Sequence, residues 1–312
     1  MGQTEFSVIV PTYERERALA NCLQALAEFD YPRANFEVIV ADDGSWRRPR
    51  ALLEGFRRRL DVGLLALPHV GAAAARNAAA AVARFNYLAF TDDDCLPSRD
   101  WLKCIAAVVR ERPGDAIGGA TVNSLVDNPC AVASAWIADS MLVACNPQAQ
   151  RANFLPTCNL TVPAERFRAL GGFDARTFPH AAGEDRDFCY RWIAGGFGMV
   201  YAPEAVVYHA NGSQLGGYWR QHFTRGRAAF HYHRKRGWVT LFDGSVTSVA
   251  QAAMLWEAPL RIWPLLLLWR SAHLAGFAWQ AARCALPRAT RKVSEDGEQK
   301  LDESQVLGRG AW

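Results

Sequence analysis

Residues 87–94 read Tyr-Leu-Ala-Phe-Thr-Asp-Asp-Asp, an apolar run of four residues that soon gives way to three consecutive carboxylates. A short apolar run with polar residues after it is typical of a buried β-strand. Adjacent carboxylates repel one another, which costs free energy unless a cation or hydrogen-bond donors compensate them. Mg²⁺ or Mn²⁺ would do so, because hard cations bind oxygen ligands. The alternative is a charged turn that caps the next helix, since Asp is also a good N-cap residue.

The chain before this stretch alternates between strand-like and helical patterns. Residues 6–10, 36–40 and 63–67 are short apolar runs, whereas 14–29 and 71–83 have helical spacing. Alternation at this spacing predicts parallel βαβ units, and therefore an α/β fold with helices on both faces of a sheet. In such sheets ligands bind at the carboxyl ends of the strands. The three carboxylates are expected at that edge.

A second acidic pair follows a neighbouring strand. Asp42 and Asp43 begin the segment Asp-Asp-Gly-Ser, whose carboxylates could accept hydrogen bonds from a base or a ribose. The same four residues are also a strong turn sequence. Arg76 lies in the Ala-Arg-Asn segment near the start of the helix 71–83. A guanidinium there could reach a diphosphate, and the helix N-terminus would assist it.

The second half of the chain is less regular. We predict strands at 115–122, 157–162, 199–201 and 205–208, and helices at 164–170 and 184–194. The domain prediction is an α/β domain at 1–212, made of two halves at 1–122 and 123–212. A helical, Trp-rich region at 213–287 and a disordered polar tail at 288–312 complete it.

Composition excludes several classes of protein. The chain has 312 residues, a net charge of +4 and eight scattered cysteines without a Cys-x-x-Cys pair. A zinc knuckle, a thioredoxin-type site and a disulfide scaffold are therefore not expected. The N-terminus shows no basic region followed by a long apolar one, so a secretory signal is not expected either. A cytoplasmic protein is predicted.

The segment 205–242 contains no Asp or Glu but ten Arg, Lys and His residues. Such a segment predicts an anionic partner, namely a diphosphate, nucleic acid or an acidic lipid surface. The alternative is a solvated basic helix face. No nucleic-acid-binding motif is present, so nucleic acid is not expected.

The region 244–285 is apolar and rich in Trp. Residues 262–282 are long enough to span a bilayer, but Arg270 would be costly at its centre, and Pro259 and Pro264 would break the helix early. An interfacial helix is favoured over a span, because Trp-rich helices with Arg suit the membrane surface. A core helix packed on the sheet is the remaining alternative.

An ordered series of motifs resembles the family 2 glycosyltransferases over about residues 6 to 210. The motifs are, in order, Pro-Thr-Tyr at 11–13, Asp-Asp-Gly-Ser at 42–45, Ala-Arg-Asn at 75–77, Thr-Asp-Asp-Asp at 91–94, Cys-Asn-Leu-Thr-Val-Pro at 158–163, Leu-Gly-Gly-Phe-Asp at 170–174 and Gly-Glu-Asp at 183–185. The resemblance implies the GT-A fold, a mixed sheet flanked by helices, with a mostly helical C-terminal extension. It implies that residues 1–212 are the catalytic domain, with a nucleotide-sugar-binding half at 1–122 and an acceptor or catalytic half at 123–212.

The resemblance also implies roles for individual residues. Those expected to bind the nucleotide-sugar are Pro11, Thr12, Tyr13, Asp42, Asp43, Arg76, Asp92 and Asp93. The motif at 92–94 matches the DxD pair, in which the last carboxylate, Asp94, coordinates a metal. Asp92 contacts ribose or metal, and since all three positions are Asp, the pair that binds is left open. His209 resembles a histidine that completes the metal site in some related enzymes, or else it is a strand-end residue bonded to backbone.

The Gly-Glu-Asp motif implies the catalytic base. Asp185 matches it, with Glu184 as the alternate, and the start of a helix at this point is expected to lower the pKa of Asp185. Asn159, Arg220 and Arg225 are candidates for contacts to a diphosphate or an acceptor. The Gln221–Arg225 spacing departs from the Gln-x-x-Arg-Trp motif of processive polysaccharide synthases, so processive synthesis is not expected.

The function predicted from this resemblance is metal-dependent, inverting transfer of a sugar, with Mg²⁺ or Mn²⁺ as cofactor. The donor would be a UDP-linked sugar, and the acceptor a hydroxyl in cell-surface or lipid-linked glycan synthesis at the inner face of the cytoplasmic membrane. A nucleotidyltransferase of related fold and a non-catalytic nucleotide-sugar-binding or membrane-scaffold protein are the alternatives. The absence of a Gly-rich, basic loop near the first strand argues against the former, and the intact acidic motifs argue against the latter.

Overall fold

The protein is described by a computed structural model over residues 3–179, 182–210, 212–237 and 257–285. The strands are β1 (Phe6–Thr12), β2 (Phe36–Asp42), β3 (Val62–Ala66), β4 (Tyr87–Phe90), β5 (Cys95–Pro97), β6 (Ala116–Asn123), β7 (Leu160–Pro163) and β8 (Met199–His209). The helices are α1 (Glu16–Leu26), α2 (Arg50–Phe56), α3 (Ala72–Val82), α4 (Trp101–Glu111), α5 (Pro129–Cys145), α6 (Ala164–Ala169), α7 (Glu184–Ala194), α8 (Leu215–Arg236) and α9 (Trp263–Ala285).

All eight strands form one mixed sheet in the order β3-β2-β1-β4-β7-β6-β8-β5. The first four in this order are parallel, as the alternation of strands and helices predicts. β1 is buried along its whole length. Its side chains point alternately to the two faces of the sheet, and helices cover both faces. Val8 and Val10 pack in the apolar cluster that includes α1 and α4 residues, and Ile9 packs in the one that includes α3 and α7 residues.

The second half of the sheet is mixed. β7 runs antiparallel to both β4 and β6, β8 is parallel to β6, and β5 closes the edge antiparallel to β8. The sequence patterns at 199–201 and 205–208 belong to one strand, β8, and not to two. A register shift opposite Gly119 and Thr121 of β6 lets this strand continue past Pro203, which has no N–H for the ladder.

The C-terminal helices pack on the catalytic part of the chain and on each other. α9 buries Leu265, Leu266 and Trp269 against α5 and α8, in an apolar cluster that contains Tyr218. Pro264 lies in the first turn of α9 and does not break it, because the first turn needs no N–H there. One face of α9 is thus a core face. No helix within the described ranges is long and apolar enough to cross a membrane.

Part of the basic segment has anionic partners within the protein, whereas an external anionic partner for the segment stays a prediction. Lys235 Nζ lies 2.6 Å from Asp174 and 2.9 Å from Asp187, and Arg236 lies 2.8 Å from Asp187. Asp187 is fully buried and also pairs with Arg191. The C-terminal turn of α8 is therefore fixed to α7 by buried ion pairs.

The predicted domain boundary at 212 stays a prediction, and the tail at 288–312 lies outside the described residues.

α8 and α9 approach so closely that two glycines make contact with the backbone of the opposite helix. A Cβ atom on Gly226 would lie 2.0 Å from the carbonyl oxygen of His273, and one on Gly276 would lie 2.0 Å from that of Phe223. Real Cβ atoms do not approach an oxygen so closely, so any side chain at these positions must push the helices apart. The two glycines therefore determine how α8 lies over the rest of the chain.

We expect Gly226→Ala to lower the stability of the protein, because overpacking of this kind costs about 1–3 kcal/mol. Gly216→Ala is the matched control, since nothing lies within 4 Å of a Cβ atom there. It lies in the first turn of the same helix, and we expect no loss and a gain of up to about 1 kcal/mol. Differential scanning calorimetry of the full chain makes the comparison. Equal melting temperatures for the two variants would show that the helix crossing is not tight.

Candidate active site

The candidate site lies where the sheet changes from parallel to mixed, at the carboxyl ends of β1, β2 and β4. Asp92, Asp93 and Asp94 follow β4 directly, as predicted. The end of β8 approaches from the other side, because His209 pairs with Cys95 of β5. The amide N–H of Ala210 also donates to the carbonyl oxygen of Asp94, at 2.8 Å. Strand ends from both halves of the sheet thus surround the three carboxylates.

The middle carboxylate faces inward and is held by protein groups. Asp93 is 3% exposed, accepts a hydrogen bond of 2.8 Å from the hydroxyl of Thr12, and pairs with Arg15 at 2.9 Å. Burial raises the pKa of Asp93 to about 6, against the opposing effects of Arg15 and Thr12. Both oxygens of Asp93 are therefore used within the protein.

Asp92 is joined to the Gly-Glu-Asp motif by a buried arginine. Arg76 pairs with Asp92 through one terminal nitrogen and with Glu184, at 3.1 Å, through the other. Its pKa is raised because the charges of these two carboxylates outweigh the effect of burial. Burial and the neighbouring charge of Asp185 raise the pKa of Glu184 to about 7. Arg76 thus connects the motifs at 92–94 and 183–185 directly.

Asp94 lies between two cationic groups. Arg15 contacts one of its oxygens at 2.8 Å, and Nε2 of His209 lies 3.2 Å from the other. Burial alone would raise the pKa of Asp94, but His209 and Arg15 together lower it well below its usual range. Burial alone would lower the pKa of His209, but the hydrogen bond with Asp94 raises it to about 9. The predicted partnership of Asp94 and His209 is therefore present in the geometry.

The donor atoms around Asp94 suit a divalent cation. One oxygen of Asp94, the sulfur of Cys95 and a ring nitrogen of His209 lie within 4.8 Å of one another. Asp92, Cys95 and Cys158 form a second such group. A carboxylate together with an imidazole nitrogen suits Mn²⁺ better than Mg²⁺, because Mg²⁺ prefers oxygen ligands alone. The residues present therefore fit the metal that the motif implies.

The ends of β1 and β2 form the side of the site where a base would lie. Tyr13 is 44% exposed, and its ring centroid lies 4.3 Å from that of His69. Pro11 is buried within β1 and contributes backbone there. Asp42 is fully buried, and its Oδ2 atom has no hydrogen-bond partner among the described residues. An unpartnered buried carboxylate oxygen is costly unless a ligand donates to it.

Asp43, which follows Asp42 at the end of β2, stabilises the turn before α3. Its carboxylate accepts hydrogen bonds from the amide N–H groups of Val70, at 2.6 Å, and Gly71, at 2.9 Å. Gly71 has φ +90°, and a Cβ atom there would lie 2.5 Å from the carbonyl oxygen of Pro179. Asp43 therefore holds the turn that begins α3 and so places Arg76. A direct ribose contact by Asp43 stays a prediction.

The predicted base, Asp185, lies in the first turn of α7 as expected, but its pKa moves the other way. Burial raises the pKa of Asp185, and this outweighs a hydrogen bond of 2.8 Å from the amide N–H of Arg186 and the charges of Arg186, Arg225 and Arg76. The expectation that the helix N-terminus keeps its pKa low was therefore wrong. A carboxylate with a raised pKa is a better proton acceptor at neutral pH.

Arg225 of α8 lies close enough to this carboxylate pair to interact with it electrostatically. Burial lowers its pKa, and the negative charges of Asp185 and Glu184 oppose that effect. Arg225 forms no ion pair or hydrogen bond with another described residue. A guanidinium stays charged even when it is buried, so it needs an anion. Arg225 is therefore a cation at the site without a fixed partner in the described chain.

The structure does not support ligand contacts by Asn159 and Arg220, the other two predicted contact residues. Asn159 is 1% exposed, and its amide is fully used: it accepts from the indole of Trp101 at 2.9 Å and donates to the carbonyl oxygens of Ala120 and Ala205. This corrects the prediction of a ligand contact, because no donor of the amide remains. Arg220 is exposed on α8, five residues before Arg225 and about 140° around the helix. The structure does not bring it to the carboxylates.

The sequence analysis did not identify Arg15, Cys95 or Cys158 as residues of the site. Arg15 contacts both Asp93 and Asp94, although it lies 78 residues before Asp93 in sequence. Its position two residues after Tyr13 was the only signal in the chain. The sulfur of Cys158 lies beside Asp92 and Cys95 at the site.

Comparison with known proteins agrees with this geometry. A model of the family described as glycosyl transferase family 2 matches residues 7–163, about half of the chain. A poly(ribitol-phosphate) β-N-acetylglucosaminyltransferase, TarS of Staphylococcus aureus, is 35% identical over 115 residues, which are 36% of this chain and 20% of that protein. The pre-mycofactocin glycosyltransferase of Mycobacterium tuberculosis is 29% identical over 217 residues, which are 68% of this chain and 44% of that protein. The chain thus matches less than half the length of either relative.

Solved structures share the fold. A mannosyltransferase from Pyrobaculum calidifontis, in complex with GDP-mannose and Mn²⁺, superimposes with a TM-score of 0.60 at 20% identity, covering 91% of this chain and 85% of that one. Residues 1–349 of TarS in complex with UDP-GlcNAc superimpose with a TM-score of 0.53 at 16% identity, covering 90% and 92%. The predicted GT-A fold is confirmed. With the motifs in the predicted order and a family match over about half its length, this chain belongs to glycosyl transferase family 2.

Proposed function

We propose that the protein is a metal-dependent, inverting glycosyltransferase that uses a nucleotide-diphosphate sugar, with UDP as the favoured nucleotide. The observation that carries this proposal is the union of Asp92, Asp94 and His209 with Asp185 in one site, through Arg76 and Glu184. These are the groups needed to hold a diphosphate and to accept a proton from an acceptor hydroxyl. A Mn²⁺ complex of a structural neighbour and a UDP-GlcNAc complex of another support the choice of ligands.

The donor's base would lie between Tyr13 and the end of β2. Tyr13 offers an exposed ring face there. Asp42 offers an unpartnered oxygen that can accept from an N–H group of the base. Uracil and guanine both carry such a ring N–H, so this contact alone does not distinguish UDP from GDP. The preference for UDP therefore depends on the comparisons with TarS.

Asp94, Asp92 and His209 would hold the divalent ion, which supplies positive charge to the leaving nucleoside diphosphate. Arg225 would contact the same leaving group from α8, because it is a partly buried cation near the carboxylates of Asp185 and Glu184 and forms no ion pair with a described residue. Charge that develops on the diphosphate is then met by fixed groups, which is the most effective form of transition-state stabilisation.

Asp185 would act as the base that takes the proton from the acceptor hydroxyl. That hydroxyl attacks the anomeric carbon on the face opposite the diphosphate, so the configuration is inverted. Glu184 is less suited to this task, because one of its oxygens is held by Arg76 and the residue is 4% exposed. Asp185 is more accessible, and its raised pKa favours proton transfer near neutral pH.

A donor screen tests this proposal. The purified protein is incubated with Mn²⁺ or Mg²⁺ and a panel of UDP-, GDP- and dTDP-sugars, and released nucleoside diphosphate is measured. We expect metal-dependent release from one donor, with Mn²⁺ more effective than Mg²⁺, because His209 supplies nitrogen. Asp94→Ala should abolish it. Release of pyrophosphate from a nucleoside triphosphate and sugar phosphate would instead indicate a nucleotidyltransferase.

Asp185→Asn separates donor binding from chemistry in the same assay. We expect nucleotide binding, measured by calorimetry, to stay near the wild-type value, while transfer to an acceptor falls by about 10²–10⁴-fold. Glu165→Gln, on α6, is a surface control. Unchanged transfer by Asp185→Asn would contradict its assignment as the base and would favour the binding-protein alternative.

We expect Arg225→Gln to lower affinity for the nucleoside diphosphate about 10- to 100-fold, because a buried hydrogen bond between charged groups contributes about 1.5–3 kcal/mol. Affinity for the nucleoside alone should not change, since Arg225 would contact the phosphates only. The control is Arg234→Gln, an exposed arginine of the same helix. Equal losses for nucleoside and diphosphate would assign Arg225 a structural role.

We further propose that α9 binds the surface of an anionic membrane, which would place the protein near a lipid-linked acceptor. Leu260, Leu267 and Leu274 recur every seven residues along this part of the chain and are 51–81% exposed, with Trp279 41% exposed. Residues 257–285 carry three arginines and one glutamate. Apolar side chains with arginines on one surface are typical of an interfacial helix.

Cosedimentation with vesicles tests this surface. We expect the protein to bind vesicles of phosphatidylcholine with phosphatidylglycerol more strongly than those of phosphatidylcholine alone, and salt should weaken the binding. The double variant Leu267→Glu, Leu274→Glu should lose it. Val82→Glu, an exposed position on α3, is the matched control. Equal binding by both variants would contradict a role for α9.

A further inference from the structure

The candidate site contains two thiols that the proposed reaction does not use. Cys95 begins β5 and is fully buried, while Cys158 lies just before β7 and is partly exposed. Their sulfurs and a carboxylate oxygen of Asp92 lie within 4.8 Å of one another. The residues come from two segments 63 positions apart in sequence, so only the fold brings these sulfurs together.

We propose that Cys95, Cys158 and Asp92 form a thiolate site for a zinc-class divalent ion, separate in chemistry from the oxygen-rich ligands that suit Mn²⁺ or Mg²⁺. Two sulfurs and one oxygen are a donor set that selects zinc and similar soft metals. Ligand atoms around a tetrahedral zinc ion lie about 3.3–3.8 Å apart, given bonds of about 2.0–2.3 Å. The three donors therefore need to move together by only about an ångström.

The surroundings provide a fourth ligand and a route for entry. His209 belongs to the neighbouring group with Asp94 and Cys95, so it lies beside the shared sulfur. Cys158 is partly exposed, and its sulfur also contacts the hydroxyl of Thr121, at 3.8 Å. Each thiol that binds the ion gives up its proton to solvent. Binding requires the ion pair of Asp92 with Arg76 to give way and, where Nε2 of His209 is the fourth ligand, that of His209 with Asp94 as well.

Occupation of this site has a consequence for the proposed function. Asp92 would serve both ions, and His209 would lie within reach of both. A zinc-class ion bound to the thiols would therefore displace Mn²⁺ from the neighbouring carboxylates, so it would inhibit an enzyme that needs Mn²⁺. The thiolate site would bind its ion whether or not the proposed sugar transfer is correct.

Cobalt spectroscopy of the full chain tests the site. The protein is kept reduced with a phosphine and titrated with Co²⁺, whose bonds to thiolates give a charge-transfer band in the near ultraviolet. We expect a saturable band that Zn²⁺ abolishes. Cys158→Ser and Cys95→Ser should each lose most of it. Cys104→Ser should keep it, because Cys104 is also partly buried but lies on α4 outside the group. Circular dichroism checks that each variant is folded.

Binding of Mn²⁺ supplies a second measurement that does not depend on activity. Free Mn²⁺ is followed by electron paramagnetic resonance while Zn²⁺ is added. We expect Zn²⁺ to release Mn²⁺ from the wild-type protein and to do so much less effectively from Cys158→Ser. No cobalt band in the wild-type protein, or a band that survives both cysteine substitutions, would overturn the proposal. If Cys95→Ser fails to fold, the Cys158→Ser result decides.

Discussion

Three carboxylates at the end of one buried strand must be surrounded by positive charge, and much of the site is arranged to supply it. Arg15 arrives from the segment between β1 and α1, Arg76 from the first turns of α3, and His209 from the end of β8. Each comes from a different part of the sheet or its helices. The charge of residues 92–94 therefore adds ion pairs between elements that the sheet and the apolar core also join.

This arrangement also divides the work among three residues that look alike in sequence. Asp93 is turned inward and satisfied by Thr12 and Arg15, so its carboxylate stabilises the site. Asp92 pairs with Arg76, and Asp94 lies between Arg15 and His209, so each has cationic partners that a ligand or an ion could replace. Salt bridges of this kind keep an empty acidic site folded, because uncompensated charge would otherwise favour opening of the strand end.

The sequence was informative where a pattern is local and uninformative where a contact is remote. The strand at 87–90 and the helix at 184–194 have the predicted bounds, because apolar periodicity and flanking glycines are local signals. The acidic motifs lie at the strand ends for the same reason. The ion pair of Arg76 with Glu184 joins residues 108 positions apart. The raised pKa of Asp185 depends on burial by other elements. Neither can be inferred from neighbouring residues.

The distribution of charged residues along the C-terminal half did not reveal their ion pairs, because the partners are remote in sequence. The segment 205–242 lacks acidic residues, yet Lys235 and Arg236 find Asp174 and Asp187 on the preceding elements. The periodicity of α9 was ambiguous because one face packs on α5 and α8 while another is exposed and apolar. A helix with two apolar faces has no clear amphipathic signal, so the alternatives could not be separated without the packing.

The ion pairs at the end of α8 bear on how this enzyme family should be delimited and engineered. The segment that matches the family model ends at residue 163, but Asp185, His209 and Arg225 all lie beyond it. A clone trimmed near residue 212 would keep the first two and would remove two of the three cations that neutralise Asp187. Swapping C-terminal regions between relatives to change the acceptor would meet the same constraint. The graft would have to bring its own counter-charges for α7 as well as its own acceptor surface.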